Sequence, residues 1–374
     1  MQIPNLKLVF VLLGLMIVQN CKAQYNIEVI DSNTFTLDDA VVLSKTSFRG
    51  LSVVDDNTIW VSGSRGTFAR SVDGGKTFTY TQLKGYEKSD FRDIEAFDDK
   101  RAIMMSSGTP AYILKTIDGG LTWKEVYKNT DSAYFLDAMD FWDEQRGILV
   151  GDPINGHFVL LETKDGGDTW QELDTTKTPR AMEGEAVFAA SGTSLRCWGK
   201  DEFGFVTGGV TCKLIHKTSN NIIWNPIRFT HGKSSQGAFG IAVNKKARFF
   251  YIIGGDYLNE IHFFDTVWNG NKYVISEMQS QRYYNRNYTI HCEYGEYKSG
   301  IDFISKNNLL ACGTSGVFNF RIIKDKNSVK SIHKNGVARK ISSESFHVVR
   351  KAKKGKAVFL AGPKGKIGKL VNSR

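Results

Sequence analysis

The chain has 374 residues, 41% hydrophobic, 12% aromatic and 24% charged, which is ample apolar material for a large core and excludes a disordered chain. The formal net charge is +10, yet it sits mostly at one end: from Lys324 onward there are fifteen Lys/Arg against Asp325 and Glu344. Apart from Lys7 and Lys22 the remainder is slightly acidic, so the basic end is either a solvated lysine face or a surface for an acidic partner, an anionic glycan or lipid headgroups, with no nucleic-acid partner expected.

Residues 1–23 read as a signal peptide. Lys7 precedes the unbroken apolar run Leu8–Val18, and the polar stretch QNCKA follows. The run is too short for a comfortable membrane span of ~20 residues. Cleavage after Ala23 would leave one domain, 24–374, exported to the periplasm or outside the cell. The alternative is a lipoprotein anchored to the membrane through Cys21, although Asn20 is a poor residue before a lipidated cysteine. Export permits disulfides. Cys197, Cys212, Cys292 and Cys312 allow three pairings, and no C-x-x-C spacing suggests zinc or thiol redox chemistry.

The segment Tyr25 to Leu43 is strand-like. After it, a unit recurs about every 45 residues, the length of a four-stranded propeller blade. Three copies carry an octapeptide of the form S/T-x-D-x-G-x-T-W/F: SVDGGKTF (71–78), TIDGGLTW (116–123) and TKDGGDTW (163–170). In each, an aspartate closes a tight turn by accepting backbone N–H groups, and a glycine supplies positive φ. The terminal ring suits packing between sheets. Asp73, Gly75, Thr77, Asp118, Gly120, Thr122, Trp123, Asp165, Gly167, Thr169 and Trp170 are therefore read as structural. Upstream of each octapeptide, an apolar strand, an acidic turn and a second apolar strand follow one another, beginning at Phe48, Phe91 and Phe135. Weaker copies begin near Glu185 (EAVFAA), Gly237, Lys298 and Phe346, giving seven inner strands. Phe205–Gly209 is read as the single strand answering the fourth. The last copy lacks an outer strand, which Tyr25–Leu43 would supply. Blade five carries an extension, 256–297, rich in Tyr and Asn.

At these motifs the sequence resembles the BNR/Asp-box superfamily. More narrowly, FRDIEAFDD, FLDAMDFWDEQRGILVGDP, GEAVFAASGTS and IIGGDY resemble bacterial relatives of the photosystem II stability/assembly factor. The resemblance implies an all-β, seven-bladed β-propeller of four-stranded blades that helps a partner protein assemble or stay stable. Some relatives carry oxidoreductase or glycosyl hydrolase labels, which no residue pattern here supports.

If each inner strand starts at one mouth of a central channel, the residue after the leading aromatic faces the channel. Arg49, Arg92, Lys298 and His347 then supply cations there, and Asp93, Asp137, Glu183 and Glu185 supply acids. Such a ring could grip a protein or peptide, an acidic one through bidentate Arg–carboxylate bonds, or it could be inter-blade ion pairs. The tyrosines of the blade-five extension, from Arg282 to Tyr297, suit an interface as well as they suit a packing role. A sialidase-like glycan hydrolase is the alternative: Glu183 and Glu185, on one strand face, would be about 7 Å apart, within the spacing of inverting glycosidases. No Phe-Arg-Ile-Pro motif is present, however. No G-x-G-x-x-G or H-E-x-x-H appears, so neither a cofactor nor a metal is expected.

Overall fold

The computed structural model describes residues 25–30, 37–217, 222–226, 231–244, 249–258, 266–271, 288–291, 297–321 and 337–372. The proposed signal peptide, Cys21, Cys292 and most of the tyrosine-rich extension lie outside them. The described chain is all-β except for the helix Leu37–Ser44 and the 3-10 turn Thr175–Lys177. Its strands form antiparallel sheets, mostly four-stranded and mostly built from consecutive strands.

The first three sheets follow the repeat. Phe48–Val53, Ile59–Gly63, Thr67–Ser71 and Thr79–Gln82 make the first, and the octapeptide is the turn between its third and fourth strands. Asp73 closes that turn: Oδ1 accepts from Lys76 N and Thr77 N at 3.0 Å, and Oδ2 accepts from Thr77 Oγ1 at 2.6 Å. Asp118 and Asp165 repeat the threonine bonds at 2.5 to 3.0 Å. These bonds hold Asp73 and Asp118 down at about 2; for Asp165, burial opposes the shift and the Thr169 bonds prevail, again giving about 2. Gly120 illustrates the glycine requirement. Its φ is +85°, and a Cβ there would come 2.7 Å from the Phe68 ring of the neighbouring sheet. Trp123 packs edge-on against that same Phe68, centroids 5.2 Å apart.

The cores lie between sheets, because each sheet is apolar on both faces. Trp60 and Phe68 of the first sheet pack with Ile94, Met104 and Leu114 of the second. Leu51, Ile59 and Val61 pack on the other side with Val348, Phe359 and Ala361 of the last. Each such side chain contributes roughly 1.5–3 kcal/mol on burial.

The first strands of successive sheets lie against one another: 48–53 on 90–96, then 136–141, 195–198, 233–244, 298–305 and 348–351, which contacts 48–53. Side chains latch several of these neighbours. Ser52 Oγ accepts from Ala96 N (3.0 Å), Asp93 Oδ2 from Met139 N (2.9 Å), Asp140 Oδ2 from Cys197 N (2.7 Å) and Asp302 Oδ2 from Lys351 N (2.9 Å).

Three expectations need correction. The strand-like reading of Tyr25–Leu43 holds for Tyr25–Val29, which pairs with Ile367–Asn372 in the last sheet, whereas Leu37–Ser44 is helical. The fourth first strand is Leu195–Trp198, not EAVFAA, whose Glu185–Ala186 pairs with Gly208–Gly209. Phe205–Gly209 is not one strand: Glu202–Val206 stays in the fourth sheet, and Gly208–Gly209 crosses to the fifth. Cys197, Cys212 and Cys312 are buried, and no disulfide joins any two of them. Each of the three possible pairings needs one bond among them, so none is formed.

Candidate functional site

A bulge recurs at the start of the first strands. Pairing slips between Phe48 and Gly50, Phe91 and Asp93, Leu136 and Ala138, and Lys298 and Gly300. The extra residue in each slip is Arg49, Arg92, Asp137 and Ser299. A bulged residue leaves the ladder and is re-aimed relative to its neighbours.

The bulged residues meet a piece of the chain's own backbone. Arg49 Nη1 donates to the Ala190 carbonyl and Arg92 Nη1 to the Ala189 carbonyl, both at 3.1 Å. Ser191 Oγ donates to the Ser299 carbonyl (2.6 Å), and Ile241 N to the Thr193 carbonyl (2.8 Å). Gly192 sits so close to Asp93 that a Cβ would fall 2.2 Å from its carboxyl. The segment Ala189–Thr193 thus runs through the space between the first strands of the first, second, fifth and sixth sheets. Its small side chains are what make that passage possible.

Charges at this end are unevenly matched. Arg92 pairs with Asp90 at 2.8 Å, and its side chain is 27% exposed. Arg49 has no carboxylate at salt-bridge distance among the described residues; burial, then the neighbouring Arg92, lowers its pKa. Asp137 is 0% exposed and neither carboxyl oxygen has a well-formed partner. Burial, then Asp152, holds Asp137 well above the usual carboxylate range, and burial raises Asp152 to about 6. Asp93 is also raised by burial. His347 is pushed down to about 3 by burial, then by Arg49 and Arg92, so it is neutral at pH 7 and not the expected cation.

The other sequence candidates sit elsewhere. Lys298 pairs across from Gly313 as Phe48 does from Gly63, so it takes the place of the leading aromatic, and Ser299 takes the place of Arg49. Lys298 is 1% exposed, with Nζ 4.4 Å from the Phe318 centroid. Glu185 is buried against Lys213 (2.6 Å) and Thr207 Oγ1 (2.7 Å). Glu183 is exposed, in a turn with Gly184 at φ +76°. The two glutamates therefore share no strand face, and the glycosidase-like spacing does not arise.

The opposite end of the first strands holds charged residues the sequence reading passed over. Glu95, Asp140, Arg196, Asp302, Arg350 and Lys353 line a cavity of about 180 Å3. Glu95, Asp140 and Asp302 stand three residues after Arg92, Asp137 and Ser299. An alternating strand would not bring residues three apart to the same side; the bulge between them does. Lys353 Nζ bonds Glu95 Oε1 and the Ala96 carbonyl.

The profile of the family described as photosynthesis system II assembly factor YCF48 matches residues 91–194. Two solved structures extend the likeness over the chain. "YCF48 from Cyanidioschyzon merolae" is 12% identical, with a TM-score of 0.62, covering 92% of this chain and 98% of that one. "YCF48 bound to D1 peptide" is 13% identical, with a TM-score of 0.59, covering 94% and 98%. The vacuolar protein sorting/targeting protein 10 of Pyricularia oryzae is 28% identical over 154 residues, 41% of this chain and only 10% of that much longer protein. Repeated octapeptide turns, stacked antiparallel sheets and these likenesses agree: the chain is a BNR-type β-propeller resembling the photosystem II assembly factor.

Proposed function

We propose that the chain is an exported, non-catalytic binding protein whose sheets close into a seven-bladed propeller. It holds a segment of a partner protein at the channel mouth where Arg49 and Arg92 lie. Closure is supported by the succession of first strands, which returns from 348–351 to 48–53. The pairing of Tyr25–Val29 with the last strand supports it too, since this removes a free sheet edge. On this reading Ala189–Thr193 is a plug within the channel. Export rests on the apolar run 8–18 ahead of a first strand at Tyr25, two residues beyond the expected cleavage. Its destination is the periplasm or the cell exterior.

The observation that carries the binding reading is Arg49. Its guanidinium rests on a single plug carbonyl and has no carboxylate partner among the described residues. A carboxylate from a partner could take parallel N–H bonds from it. The likeness to YCF48, one structure of which is titled as bound to a D1 peptide, supports a peptide as the ligand class and an assembly role. An anionic glycan is the other ligand of the same chemistry.

The test is fluorescence anisotropy with a panel of acidic peptides. Wild type is expected to bind, more weakly as salt rises, and Arg49→Gln to bind about tenfold less tightly, the loss of one charge-assisted bond. Equal affinity in Arg49→Gln and Arg92→Gln, or no binding by wild type, overturns the reading.

A further inference from the structure

The cavity at the far end of the first strands is separated from the mouth by the plug, and it has its own polar chemistry. Arg196 Nη1 donates to the carbonyls of Gly192 (3.3 Å) and Leu195 (2.8 Å), and Arg350 Nη2 donates to the same Gly192 carbonyl (2.9 Å). Each guanidinium has a second nitrogen left over. Arg196 Nη2 and Arg350 Nη1 are buried and have no hydrogen-bond partner. None of the nearby carboxylates hydrogen-bonds these two nitrogens, although Glu95 and Asp302 lie close enough to Arg196 to feel its charge. Asp140 accepts from the amides of Phe141 and Cys197, Asp302 from those of Phe303 and Lys351, and Glu95 is taken by Lys353.

Two cations anchored on one carbonyl, each with a spare buried donor, and both lining one cavity, make a receptor for a planar anion. The three carboxylates on the same walls would repel a dianion such as phosphate. They retain lone pairs that suit a hydroxyl or amine on the ligand. A space of about 180 Å3 has room for about six waters' worth of ligand atoms.

We infer that this cavity binds a small carboxylate carrying a neighbouring hydroxyl or amino group, its carboxylate bridging Arg196 and Arg350. The site lies on the opposite side of the plug from the peptide-binding mouth and is independent of it.

Thermal melts of the full chain, titrated with sodium lactate, alanine, propionate and phosphate against sodium chloride at equal ionic strength, test this. Lactate or alanine is expected to raise Tm saturably, as a ligand of the folded state must, with propionate weaker. Arg350→Lys and Arg196→Lys can each still reach the Gly192 carbonyl but lose the guanidinium fork. Each is expected to weaken binding by about tenfold or more. No saturable shift with any carboxylate overturns the proposal. So does unchanged affinity in whichever of the two variants folds, or tighter binding of phosphate than of lactate.

Discussion

The two ends of the first strands carry buried carboxylates to opposite effect. On the Arg92 side of the segment Ala189–Thr193, Asp137 has no well-formed hydrogen bond and Asp152 has one, from Val187 N at 3.0 Å. Three residues along from Asp137, Asp140 accepts two amides, from Phe141 and from Cys197 of the next sheet. Burial raises carboxyls at both ends, Asp302 as well as Asp93 and Asp137; what differs from residue to residue is how many backbone N–H groups replace the lost water. A carboxylate that gains them joins sheets together. One that gains none, as Asp137, is held toward its neutral form by burial with nothing offered in return, and is a cost the fold carries at pH 7.

Three substitutions would sharpen or break this contrast. Asp140→Ala strips the acceptor from two amides and should lower stability by about 2–3 kcal/mol in urea melts; a loss under 1 kcal/mol would mean that the latch is ornamental. Asp152→Asn should act in the other direction. Its carboxyl is raised to about 6 by burial, so the folded state binds the proton more tightly than the unfolded chain does. The wild type therefore loses stability as pH rises from about 4 through 6. The asparagine should recover up to about 2 kcal/mol at pH 7 and nothing below pH 4, read as Tm against pH. A constant difference across that range would rule out the titration. The smallest effect belongs to Ser52→Ala, which leaves the Ala96 amide without its neutral acceptor and should cost about 1 kcal/mol.

Much of this architecture was legible in the residues, and the failures have physical causes. The octapeptides were readable because all their bonds are local: Asp73 reaches no farther than Thr77. The first strands at Phe48, Phe91, Gly237, Lys298 and Phe346 were placed by apolar pattern to within a few residues. The fourth was missed because its apolar neighbour EAVFAA looks more strand-like than LRCW, and nothing local announces that AASGT will run between the first strands. Lys298, which precedes a bulge as Phe48 and Phe91 do, was set one position off because the preceding Tyr297 was taken for the leading aromatic. The same bulge hid Glu95, Asp140 and Asp302, since period-two reasoning sends them away from the side occupied by Arg92, Asp137 and Ser299. An acid three residues beyond each bulged residue, in FRDIE, LDAMD and KSGID, was the available signal.

The bonds of the segment Ala189–Thr193 have one more property. Those from Arg92, Ser191, Arg49 and Arg350 span 97, 108, 141 and 158 residues of sequence. Contacts so distant along the chain repay their loop-closure entropy only after the intervening elements have formed. This short, uncharged stretch can be fastened only once the sheets at both extremes of the chain have met. By this argument its seating is expected late in folding, with Arg49, Arg92 and Arg350 reaching its carbonyls only then, whereas Arg196, four residues from Gly192, can be placed locally.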